Sequence, residues 1–308
     1  MNSSLVLLQL LNGLQLGMVL FLVAAGLTLV FGVMDFINLA HGVQYTLGAY
    51  LTAASAAYFS NFGLGLAIGL TGSAALGYLL ELLVFRVLTH RSHLEQVLGT
   101  FGVILIVTDA MKLIFGPAPI AFTVPTALSG MVMLTPTLAY PLWRVLIIAA
   151  GIGVALLLWL LVTRTRIGML VRAGSTDRDI VDLMGVNIDR LFVLVFVFGA
   201  LLAAFAGAMA GPLISVEPTM GDNIVILAFV VIVVGGIGSI RGAFFAALLI
   251  GVVDVMGRAF ATTLLKSVIG ASAATAAGPA LASMLIYILM VLILMVRPAG
   301  LFSSSGAS

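Results

Sequence analysis

The chain has 308 residues, 63% hydrophobic and 8% charged, with 13 Lys+Arg against 11 Asp+Glu for a formal net charge of +2. A soluble domain carries about 25% charged residues, and this composition leaves too little polar surface to coat a water-soluble globule. A soluble enzyme, a nucleic-acid binder and a disordered tail are excluded, and the absence of cysteine removes disulfides, thiolate metal sites and cysteine nucleophiles.

What remains is an all-α polytopic membrane protein. Met1-Asn2-Ser3-Ser4 places no basic residue ahead of the first apolar run, as a cleaved signal peptide would, so 5–31 is expected to be a retained span. A helix rising 1.5 Å per residue needs ~20 apolar residues to cross ~30 Å of hydrocarbon. Uncharged runs near that length follow at 43–60, 62–80, 97–108, 145–163, 191–213, 223–240, 242–253 and 280–296. About eight or nine transmembrane helices are predicted. The runs are continuous rather than alternating, which argues against spanning strands.

Between the first two runs lies Met34-Asp35-Phe36-Ile37-Asn38-Leu39-Ala40-His41-Gly42, a Gly-ended break over 34–42. Glu81 and Arg86 stand at the end of the third run, where snorkelling to the interface suffices. Asp109 and Lys112, at i and i+3, are expected to pair within one helix, and so are Asp254 and Arg258 at i and i+4. Five arginines, Arg164, Arg166, Arg172, Arg178 and Arg190, fall in one connecting segment, which the positive-inside rule makes cytoplasmic. Counting back puts the N-terminus outside, and the loops at 116–141 and 214–222, without Lys or Arg, fall outside too.

Residues 164–190 hold nine of the 24 charged residues. Ser175 or Thr176 can cap a short helix, Asp177 and Asp179 suit its first turn, and Gly185 can end it. Ile180, Leu183 and Met184 share a face. A helix over about 175–186, where no span needs one, reads as a docking element for a cytoplasmic protein; a solvated loop is the plainer alternative. A second break, Gly235-Gly236-Ile237-Gly238-Ser239-Ile240-Arg241-Gly242, returns Arg297 to the inside and leaves Arg258 and Lys266 outside. Paired broken helices point to a transporter's central site, although tight turns with packing glycines explain them equally well. His41 is better read as a hydrogen-bonding fixture than as a proton carrier.

These stretches carry a resemblance. Ile37-Asn38-Leu39-Ala40-His41-Gly42 resembles the I-N-F/L-A-H-G signature of the branched-chain amino acid ABC transporter permease family. Arg172-Ala173 through Asp177, then Leu183-Met184-Gly185-Val186-Asn187, resembles its cytoplasmic R-A-x-x-x-D…L-x-G-I/V-N loop. Leu227–Gly242 is similar to its L-G-G-I-G-S stretch, and Arg297-Pro298 with Gly300-Leu301 to its terminal R-P-x-G-L/I. The set spans nearly the whole chain in family order.

The resemblance implies one permease domain over 1–308, with the coupling loop at 164–190 and a flexible tail at 303–308. It implies a second permease subunit (paralogue or copy), two cytoplasmic ATP-binding subunits and an external solute-binding protein, all at the inner membrane. Arg172, Asp177, Asp179, Asp182 and Gly185 become the candidates for coupling to the ATPase. Asn38, His41, Gly42, Gly235, Gly236, Gly238 and Ser239 become the candidates for the translocation path. The chain lacks the G-x-x-x-x-G-K-[ST] pattern, so energy is expected from separate subunits, and neither enzyme activity, cofactor nor metal is expected. Two departures stand out. Asp179-Ile180-Val181 fills the E-A-A places of the importers' E-A-A-x-x-x-G coupling loop before Gly185, so its small residues are not kept, and Val43 stands where the family often has Glu. The solute is then a branched-chain or other amino acid, or an amide or urea; an ATP-independent transporter or channel is the alternative.

Overall fold

A computed structural model of the chain describes residues 3–136, 138–176, 181 and 183–302. The bundle is built around α1, Ser3–Met34, a helix of about 48 Å at 1.5 Å per residue. Its sequence is apolar on every side, and a helix hydrophobic all round belongs inside; from Met18 to Val30 it is buried throughout. The chain then breaks at Asp35, whose φ of +48° no helix accommodates, and restarts as α2, His41–Phe59. Next come α3, Phe62–Leu88, and α4, His93–Phe115. Asn61 caps α3 by accepting from the Leu64 N–H, and a Ser92–Glu95 capping box opens α4.

The loop after α4 contains a small antiparallel hairpin, β1 (Met131–Thr135) with β2 (Leu138–Pro141). Helix α5, Leu142–Arg164, leads through Thr165 into α6, Arg166–Thr176. Helix α7, Ile188–Ala210, is capped by Asn187, and α8, Met220–Gly235, follows it. Then come α9, Ile240–Ile269, and α10, Ala271–Val296.

Among the described residues seven helices are long and apolar enough to cross a membrane, short of the eight or nine expected. Each of the nine apolar runs contains a helix, the run at 223–240 being interrupted at 236–239. The difference lies in α8, at 16 residues, and α2, which carries His41, Gln44 and several Thr and Ser along a mostly buried face. The helix expected over 175–186 falls partly outside the described residues, which exclude Asp177, Asp179, Asp182 and the tail at 303–308. Ser175 and Thr176 are helical, the final described residues of α6 before 177.

Close helix packing runs on small residues, as it must where lipid supplies no hydrophobic drive between helices. Gly13 and Gly17 of α1 lie against the backbone of Gly251–Val252 and Ala247–Leu248 in α9, in antiparallel order. Gly26 of α1 meets Gly199 of α7, and Gly48 and Gly207 bring α2 against α7. Helix α3 runs antiparallel to α2, with Gly65 over Ala56 and Gly69 over Thr52. The expected pairs form: Lys112 Nζ donates to Asp109 at 2.9 Å, and Arg258 Nε donates to Asp254 at 2.8 Å. At the far end of α5 from Arg164, Arg144 donates to Asn12 Oδ1 at 2.6 Å, and the Tyr140 hydroxyl donates to the same oxygen at 3.2 Å.

Candidate translocation and coupling site

The second break is clamped from an unexpected quarter. Helix α8 ends where Gly236 and Gly238 take φ of +103° and +76°, values that favour glycine. Ser239 then caps α9, accepting from the Gly242 N–H at 3.0 Å. The two freed carbonyls at the end of α8 are taken up by the C-terminal segment. Leu301 N–H donates to Val234 O at 2.8 Å, and Phe302 N–H donates to Gly235 O at 3.0 Å. Gly300, with φ +81°, packs onto the Gly236 backbone, and the Phe302 ring stacks on Phe245 with their centroids 5.4 Å apart. Thus the G-G-I-G-S and R-P-x-G-L stretches, some sixty residues apart in sequence, form one structural unit. It brings Arg297 to the same end as the break.

The other candidates separate into two places. His41, at 1% exposure, has its Nε2 3.2 Å from the Val23 carbonyl of α1. Gly42 packs against Gly221 at the start of α8. Asn38 is fully buried, and neither amide atom meets a hydrogen-bond partner among the described residues. Gly235 and Gly242 lie backbone to backbone, whereas Gly238 and Ser239 open onto a cavity. No described contact joins Asn38 or His41 to Gly235–Ser239. The link between the breaks is Gly32, near the end of α1, where a Cβ would lie 3.1 Å from Gly238 Cα. Val43 is buried in the first turn of α2.

Sequence reasoning missed a buried polar row between α2 and α3. Glu81 is 1% exposed, not snorkelling; it faces the bundle interior at a π-turn, Glu81–Phe85, a feature frequent at functional sites. Its Oε2, both amide atoms of Gln44, the Thr52 hydroxyl and the Ser73 hydroxyl have no hydrogen-bond partner among the described residues. Gly77, one turn before Glu81, places its missing Cβ 3.7 Å from Gln44 Nε2. The four-residue spacing of Gly69, Ser73, Gly77 and Glu81 was the available signal. Arg86, just beyond, pairs with Asp189 at the start of α7; both are about half exposed, so the pair contributes little.

At the coupling segment, Arg172 is exposed on α6 and lines the cavity beside Gly238. Gly185 has φ +83°, a Cβ there would meet no atom of the described residues within 4 Å, and Leu183 and Met184 before it are 87% and 78% exposed. Two long apolar side chains presented together to solvent are what a protein contact uses.

A multi-pass helical bundle, with two helix breaks packed against its central span and a charged helical segment at one end, is the architecture of a membrane transport subunit. The comparisons fix which. Residues 9–294 match the family described as branched-chain amino acid transport system, permease component, and the chain belongs to that family. It is 28% identical over 312 residues to the high-affinity branched-chain amino acid transport permease LivH of Escherichia coli K12, covering 95% of this chain and 94% of that one. It is 29% identical to BraD of Pseudomonas aeruginosa over similar shares, 95% and 94%. A shorter match, 38% over 103 residues, covers 31% of this chain and 29% of the fructose import permease FrcC of Rhizobium meliloti. No solved structure matches the chain.

Proposed function

We propose that this permease is the membrane passage of an ATP-driven importer at the inner membrane, carrying a branched-chain or other amino acid, or an amide or urea of similar size. The observation that carries the reading is the end-to-end likeness to amino acid permeases, with 95% of the chain aligned. An external binding protein delivers the solute, a second permease (a paralogue or a copy) completes the passage, and two ATP-binding subunits dock at residues 164–190. In this arrangement the whole chain forms one permease domain, with its N-terminus outside and its C-terminus in the cytoplasm. The arginines gathered near the second break support that orientation.

Arg172, Asp177, Asp179, Asp182 and Gly185 receive the push of ATP-driven closure, with Leu183 and Met184 as apolar contacts. Asn38, His41, Gly42, Gly235, Gly236, Gly238 and Ser239 form or brace the path. A neutral path suits a zwitterion, because freed backbone groups at helix breaks can meet its charges without burying an ion of the protein's own. The test is uptake of radiolabelled leucine, valine, glutamine and urea into proteoliposomes carrying the permease pair, the ATPases and the binding protein. ATP-dependent uptake of one solute is expected. Uptake that persists without ATP and follows an ion gradient would replace the reading with a secondary transporter.

A further inference from the structure

Beside the second break, α1, α5 and α9 leave a cavity of about 550 Å³. Its wall is apolar: Leu156 and Trp159 from α5, Phe244 from α9, and Phe21 of α1, which is fully buried. Its rim is cationic, with Arg241 from the first turn of α9 and Arg172 from α6, both exposed. Trp159 stands about 7.5 Å from the end of α5, and Phe21 roughly 20 Å from the end of α1, at 1.5 Å per residue. The cavity therefore runs from the arginine level to near the middle of the bilayer.

That combination selects its occupant. An amino acid would find no carboxylate for its ammonium group among the described lining residues. A free phosphate would leave the apolar depth unused. An acidic headgroup with an acyl chain below it satisfies both halves, and the headgroup charge complements the two guanidiniums. Arg172 has an interaction of its own, so recognition of charge rests mainly on Arg241. We propose that this cavity binds one anionic glycerophospholipid of the surrounding bilayer, its phosphate at Arg241 beside Arg172 and one acyl chain laid along Trp159 and Phe244 towards Phe21. Seated there, the lipid braces α6 and the start of α9 together, the two elements flanking the second break. Gly238 and Ser239 line the same cavity, so with a lipid seated they brace the path rather than form it, and the inference does not depend on which solute is carried.

Native mass spectrometry of the full chain, purified in mild detergent with the subunits that accompany it, tests this. The probes are dioleoyl phosphatidylglycerol, dioleoyl phosphatidylcholine and soluble glycerol 3-phosphate. One phosphatidylglycerol per chain is expected, with about a fivefold preference over phosphatidylcholine, as one arginine near the surface supplies. Arg241→Gln should abolish the preference and Arg241→Lys should keep it. Ala155→Trp, which fills the cavity while sparing both arginines, should lower binding of both lipids. Circular dichroism and the thermal midpoint in phosphatidylcholine check that each variant is folded. No preference in the parent chain, a preference that survives Arg241→Gln, or lipid binding undiminished by Ala155→Trp overturns the proposal. So does full competition by glycerol 3-phosphate, which would mean a phosphate site without a lipid. Loss of a co-purifying permease in Ala155→Trp with lipid binding intact would make the cavity a subunit contact and overturn it too.

Discussion

Gly300 shows how much one residue can hold. Its φ of +81° lies in the left-handed region that favours glycine, and a Cβ there would lie 2.6 Å from the Gly236 nitrogen. Gly300→Ala is expected to destabilise by about 2 kcal/mol, read as a fall in thermal midpoint in detergent; an unchanged midpoint would mean the C-terminal clamp carries no weight. Tyr140 offers a milder test at the opposite end of α5. Burial raises its phenol above the ordinary value of 10, with Arg144 pulling it partly back. A group whose folded pKa is raised contributes stability in full below its unfolded value and loses it as pH rises through the folded one. The hairpin's attachment to Asn12 should therefore be insensitive to pH below about 10. Tyr140→Phe should cost about 1 kcal/mol, because Arg144 still holds Asn12; midpoints of both proteins across pH check the two statements together.

At the scale of elements, the apolar runs foretold where every long helix lies, but not how far each extends. The run at 97–108 became His93–Phe115, and 242–253 became Ile240–Ile269. Both helices continue past charges because Asp109–Lys112 and Asp254–Arg258 pair within the helix. The two breaks were legible from their glycines. What seals the second was not, because the bonds from Leu301 and Phe302 join segments far apart in the chain. For the same reason the π-turn at Glu81 and the hairpin at 131–141 went unread: their causes are tertiary. Leu301→Pro removes one clamp donor and should cost about 1 kcal/mol; a thermal midpoint equal to the parent's would contradict the clamp. Gly185 separates backbone from side-chain effects. Its φ of +83° tolerates Asn far better than a β-branched residue, and among the described residues nothing crowds a Cβ there. Gly185→Asn should keep ATP-coupled transport, whereas Gly185→Val should leave membrane expression intact and uncouple hydrolysis from uptake. Equal transport by the two variants would remove the coupling role.

Across the whole molecule, the two breaks and the C-terminal clamp converge on the end of α1, with α6 close by across the cavity. A push on the coupling segment would reach α5 and α7 directly, since α6 continues α5 and Asn187 opens α7. It would reach the second break through the end of α1, where Gly174 of α6 faces Val33 and Gly32 lies against Gly238. That layout gives a mechanical reason for a permease to keep its glycines at these places, where backbone meets backbone. The central claim, that the energy arrives through another chain docked at 164–190, is tested most directly by purifying the permease from native membranes in mild detergent and identifying its stoichiometric companions by mass spectrometry. A P-loop ATPase is expected, released when Gly185 is changed to Val together with Asp182→Lys. Recovery of the permease alone, under conditions that preserve a known transporter complex, would contradict it.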